Sequence, residues 1–94
     1  MASSHYTLTM QINEAQVEAL NFPVKYVKDE IHSICITYGD CLNIYTEYKF
    51  EDGYNIFFVL NTLKKIYPAF ESFMYDFTLT NKAGASINLL NYVV

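Results

Sequence analysis

Residues 51–68 read EDGYNIFFVLNTLKKIYP, and no other stretch limits the fold so strongly. Ile56, Val59, Leu60, Leu63 and Tyr67 occupy every place of the i, i+3, i+4, i+7, i+11 helical template. Asp52 is a good N-cap, Glu51 adds negative charge at that end, and Lys64-Lys65 fall in the last turn, where the helix dipole favours cations. Pro68 supplies a stop. The rival reading takes Asp52-Gly53 as a hairpin turn followed by a β-prone YNIFFV strand. It fails on periodicity, because Tyr54 to Leu60 does not alternate. The spacing therefore predicts the main core helix here, with Phe57 and Phe58 as packing residues or at most part of an interface.

Upstream, Tyr6, Leu8, Met10 and Ile12 alternate with Thr7, Thr9 and Gln11, the pattern of a half-buried strand. Asn13 with Gln16 has the form of a helix cap, and a short helix should end near Asn21, before Pro23. Residues 24–32 carry a helical stripe in Val24, Val27, Ile31 and Ile34, with Lys25 and Asp29 as an i,i+4 pair, although VKYV also fits a brief strand. Ser33–Tyr38 and Leu42–Phe50 read as antiparallel strands. A three-residue loop, Gly39-Asp40-Cys41, would pair Tyr38 with Leu42 and Ile36 with Ile44 and keep apolar residues on one face.

After Pro68, Phe73, Tyr75, Phe77 and Leu79 alternate as a strand, against a competing helical stripe in Phe70, Phe73, Met74 and Phe77. Asn81–Gly84 is a turn and Ile87–Val94 a closing strand. The expected order is β-α-β-β-α-β-β, with a further helix near residue 28. That order describes an α+β two-layer sandwich: an antiparallel sheet of four or five strands with the helices on one face. The ferredoxin-like βαββαβ unit plus one hairpin strand is the nearest named architecture.

Ninety-four residues, 52% hydrophobic, suffice for one domain with one modest core. Two cysteines are too few for a disulfide scaffold, so a reducing cytoplasm is the expected setting. The N-terminal MASSHYTLTMQINEAQ lacks the basic and apolar regions of a signal peptide. No apolar run approaches the ~18–20 residues of a membrane span. Asn, Ile, Lys, Phe and Tyr, which use AT-rich codons, are abundant, as expected of an AT-rich bacterial, phage or viral genome.

The net charge is −4, and all six basic residues are lysines. Arginine is the usual bidentate reader of phosphate and guanine. A mildly acidic chain without it is poorly equipped for nucleic acid. Gly53-Tyr54-Asn55-Ile56-Phe57-Phe58-Val59 could supply stacking aromatics only as a strand, and Asp52 stands where a basic residue would meet phosphate.

His32, Cys35 and Cys41 form an H-x2-C-x5-C set, but a structural zinc site needs four convergent ligands and no second pair is present. A thiol nucleophile in Cys35 with His32 as base, oriented by Asp29 or Asp40, requires both on one helix face. No glycine-rich loop offers an oxyanion hole. Glu51 and Asp52, beside Glu47, have a sufficient structural role at a helix start. No metal, cofactor or catalytic set is therefore expected, and the protein reads as non-enzymatic.

What remains is tyrosine, nine in 94 residues, more than a fold this small can bury fully. Tyrosine supplies interface area at low entropic cost. Tyr38, Tyr45, Tyr48, Tyr75 and Tyr92 are the candidate interface residues. The closing INLLNYVV carries neither charge nor proline, so as an edge strand it would be open to pairing. The expected function is that of a small regulator or inhibitor that covers a partner protein, or pairs with a second copy through an edge strand. The alternatives are a single-strand nucleic-acid module that stacks bases and a small thiol enzyme.

Overall fold

The computed structural model describes residues 5–92, with the side chains of Asn91 and Tyr92 outside that description. The elements run β1 (Tyr6–Ile12), α1 (Glu14–Ala19), α2 (Val24–Tyr38), β2 (Asp40–Asn43), β3 (Glu47–Phe50), α3 (Gly53–Ile66), a 3-10 turn (Phe70–Phe73), β4 (Met74–Asn81), β5 (Ser86–Asn88) and a second 3-10 turn (Leu89–Tyr92).

The five strands form one antiparallel sheet in the order β2-β3-β1-β4-β5. Two split β-α-β crossovers generate it. β1 and β2 run parallel with β3 between them, and β3 and β4 run parallel with β1 between them. This is the ferredoxin-like unit, with β5 added as a hairpin strand on the β4 edge. The chain is an α+β two-layer sandwich.

The alternation in β1 sorts its side chains. Leu8 and Met10 are buried, and Leu8 lies across from Tyr48 on one side and Leu79 on the other. Thr7, Thr9 and Gln11 point the other way, opposite Lys49 and Glu47 on β3 and Thr80, Thr78 and Asp76 on β4. The helices cover the apolar face. Val17 from α1, Val27, Ile31, Ile34 and Cys35 from α2, and Ile56, Val59 and Leu63 from α3 join Tyr48, Phe50, Phe70, Phe73 and Phe77 in one core cluster.

The helix starts follow their caps. The Asn13 side chain accepts the Gln16 N–H at 3.1 Å, and Asp52 accepts the Asn55 N–H at 3.1 Å. α3 thus begins and ends as its sequence implies, with Lys64 and Lys65 in the last turn.

The middle of the chain differs from expectation. The segment 33–38 is not a strand: α2 continues to Tyr38, and no pairing of Tyr38 with Leu42 or Ile36 with Ile44 exists. The reason is burial. Ile31, Ile34 and Cys35 extend the Val27 stripe at helical spacing, and a helix seats all of them on the sheet, which outweighs the β-propensity of Ile34, Ile36 and Thr37. Gly39 is a helix-to-strand junction, its N–H still donating to Cys35 O at 2.9 Å. The β-hairpin turns later, at residues 44–46, where Tyr45 holds a left-handed φ of 69°.

The closing strand is also shorter than expected. β5 ends at Asn88, whose side chain accepts the Leu90 N–H at 3.0 Å and turns the chain. Leu89 then drops into the core. Val93 and Val94 lie outside the described residues. Among the described residues the C-terminal segment is therefore not a long open edge, since three residues of strand offer little to pair with.

Candidate interaction surface

Side chains on α3 divide into two opposed apolar sets. Ile56, Val59 and Leu63 face the sheet. Tyr54, Phe57 and Phe58 face away, 77%, 62% and 49% exposed, and the same stripe runs on through Asn61 to Lys65. A surface helix normally turns a polar face to water, and one that is apolar all round is normally covered on both sides. The first two turns of α3 break the surface rule. Phe57 and Phe58 are thus not core residues: the positions that reach the sheet are already filled by the Ile56 stripe.

α2 and α3 pack antiparallel, and two contacts hold their relation. At one end, the Tyr67 hydroxyl donates to the Glu30 carboxylate. At the other, the Tyr38 ring meets Phe58 with centroids 5.6 Å apart and planes tilted by 31°. Tyr38 therefore extends the aromatic stripe sideways onto α2. Tyr26, on the outer side of α2, is exposed as well.

The four candidate tyrosines whose side chains are described do not form one exposed patch. Tyr38 borders the α3 stripe. Tyr75 is 64% exposed on β4, on its own. Tyr48 is fully buried, because its place on β3 opposite Leu8 points it under α2. It has no surface to give a partner. Tyr45 is half-buried and turned inward. Tyr92 belongs to the last 3-10 turn, and its side chain lies outside the described residues. The candidate set read from the sequence omits Tyr54, Phe57 and Phe58, which the fold leaves exposed. The signal was present in their spacing, since all three fall opposite the Ile56–Val59–Leu63 stripe on a helical wheel.

Tyr48 and Tyr45 instead belong to a network that fastens the β2–β3 turn to α2. The Tyr48 hydroxyl accepts the Tyr45 N–H at 2.9 Å and lies 2.7 Å from Nδ1 of His32. The Tyr45 hydroxyl donates to Asp29, which also meets Lys25 at 2.6 Å. Lys28 sits 4.7 Å from the centre of the Tyr45 ring and pairs with Glu14 at 3.1 Å. These partners hold Tyr45 in a backbone region that an aromatic residue rarely enters. The ammonium of Lys25 and, next, the Tyr45 hydroxyl hold the Asp29 carboxyl below its ordinary range, and the hydrogen bonds that Lys25 donates to Asp29 and, next, to the Tyr45 hydroxyl raise Lys25.

His32 and Cys35 do share one helix, but not one environment. His32 is turned to Tyr48 and Tyr45. Cys35 is fully buried, and burial, with a smaller contribution from nearby Cys41, pushes its thiol up to about 12. Such a group supplies almost no thiolate near neutrality. Cys41 is exposed, and both thiols are free. Among the described residues no group of three His, Cys, Asp or Glu side chains is placed to hold a metal ion, and no helix is long and apolar enough to cross a membrane. The open face of the sheet displays Thr7, Thr9, Thr78 and Thr80.

Burial gives the fold an alkaline limit. Desolvation raises Tyr48, and desolvation followed by the hydrogen bond to Glu30 raises Tyr67, both from an ordinary 10.0, while Cys35 rises from 9.0. The folded state keeps protons that the unfolded chain gives up. The stability from these groups is therefore complete below about pH 9 and is lost as pH climbs through the folded values, at up to about 1.4 kcal/mol per pH unit for each group. Urea midpoints should be flat from about pH 7 to about pH 8.5 and fall increasingly steeply above about pH 9.5. Tyr48→Phe should remove its share of that slope.

Comparison with protein-family models, with curated proteins and with solved structures gives no match for the chain.

Proposed function

We propose that this chain is a small non-enzymatic interaction protein that acts by covering a partner's surface, and that the outward stripe of α3 is the covering face. One observation carries the reading: Tyr54, Phe57 and Phe58 are held at the surface on a helix whose other side is already packed. Leaving that apolar area in water costs free energy that burial against a partner would recover. Aromatic side chains are the residues from which interface hot spots are most often built. The role of regulator or inhibitor follows from covering: a rigid aromatic face can occlude whatever surface it seats on.

The test is a photo-crosslinking amino acid placed at position 57, with position 9 on the polar sheet face as control, in cells that carry the gene. The expected result is a discrete protein adduct from position 57 and none from position 9. An equal smear from both positions, or no adduct from 57, would remove the reading.

A further inference from the structure

The same face points to its own occupant. We infer that the partner on α3 is a second copy of this chain, packed antiparallel across a two-fold axis that passes close to Phe58. This inference rests on the interaction reading and names the partner at that surface.

The argument is charge complementarity. Glu51 and Asp52 stand at the start of α3 and Lys64 and Lys65 at its end. Among the described residues none of these four takes part in an ion pair; the two pairs present, Lys25–Asp29 and Lys28–Glu14, belong to α1 and α2. The midpoint between the acidic and basic ends falls at Phe58, and each end lies about 9–10 Å from it along the helix axis at 1.5 Å per residue. An antiparallel copy therefore sets each acidic end against the partner's lysines, while Phe57 and Phe58 meet their counterparts near the axis. A parallel copy would set like charges together. One helix that carries both halves of its own complement satisfies the isologous rule of a two-fold dimer, in which residue i meets j and j meets i. The opposed helix dipoles add to the preference.

Area is consistent with this. The exposed parts of Tyr54, Phe57 and Phe58 amount to about two whole aromatic side chains, roughly 300–400 Å². That is the apolar centre of a standard interface of about 800 Å² per partner. Asn61, Lys65 and Tyr38 would supply its rim. The chain's net charge of −4 opposes self-association at long range, so two pairs of matched ends are what a second copy needs to dock in register.

Sedimentation velocity on the purified chain tests the proposal. The expected mass is two chains at micromolar concentration. Phe57→Asp, at an exposed position, should weaken the dimer by about a hundredfold or more and remove the concentration dependence of the melting point, while the far-ultraviolet dichroism stays unchanged. Lys64→Glu/Lys65→Glu and Glu51→Lys should each weaken self-association, and mixing the two should restore a two-chain species containing one of each. A mass of one chain at every concentration overturns the inference, and so does a dimer that Phe57→Asp leaves intact, which would place it on another surface such as an edge strand. The position-57 crosslink separates this from the broader reading. An adduct of two copies supports the inference and α3 as the covering face; an adduct with a different protein by a monomeric chain keeps the reading and removes the inference.

Discussion

Phe77→Ala is expected to destabilise the protein by about 3–5 kcal/mol, a large part of the roughly 5–15 kcal/mol that holds a domain of this kind together. Phe77 lies on β4, directly across from Met10 of the central strand, with no exposed surface. Its ring meets Phe70 edge-on, centroids 5.7 Å apart. Alanine would remove the transfer free energy of the ring, the edge contact and the support under Met10. Little can refill the space, because β1 and β4 form the longest ladder in the sheet and fix both walls. Urea unfolding would read the loss directly. Phe77→Leu should recover most of it, and Thr7→Ala, on the polar face of the same ladder, should change stability by no more than about 0.5 kcal/mol. Equal effects at positions 77 and 7 would mean that the apolar face is not the one the helices cover.

Gly39→Ala should be nearly as damaging for a different reason. Gly39 is in extended backbone, so no unusual φ demands glycine there. What excludes a side chain is proximity: a Cβ would stand 2.5 Å from the Lys49 carbonyl oxygen and 2.6 Å from Cδ1 of Phe50. The first is backbone of β3, and the second belongs to a fully buried ring. Neither yields cheaply, and overpacking of this kind costs about 1–3 kcal/mol or more. The relief available is for β2 to lift from β3, where Asp40 pairs with Lys49. Hydrogen exchange should therefore quicken in residues 40–43 well before the rest of the sheet. Unchanged protection there would show that the junction has more room than its geometry implies.

That glycine also marks where sequence reading stopped. In sequence, Gly39-Asp40 looks like a hairpin turn between two β-branched runs, and nothing local says that the close neighbour of Gly39 is Phe50. The true hairpin turn holds no glycine at all. It uses Tyr45 at positive φ, tolerable only because Tyr48, Asp29 and Lys28 grip it from other elements. Partners 3 to 17 positions away cannot be read from turn propensity. The candidate surface was legible in part. α3 and its ends were clear, and the wheel sets Phe57 and Phe58 opposite the Ile56 stripe, but whether another element would pack over them was not.

By itself the sequence determined the elements whose signals are local: the alternating β1, the capped α3 with its Pro68 stop, the Asn81–Gly84 turn, and the α+β class that their order implies. Those signals are short-range, set by side-chain period, caps and backbone restriction within a few residues. Only the tertiary structure decided that 33–38 is helix, that Tyr48 is buried, and that no other described element covers Tyr54, Phe57 and Phe58. Each of those outcomes depends on which surface another element has already occupied. A sheet with two split crossovers has one apolar face, and once Ile56, Val59 and Leu63 fill their part of it, the remaining aromatics of α3 have nowhere to go but outward.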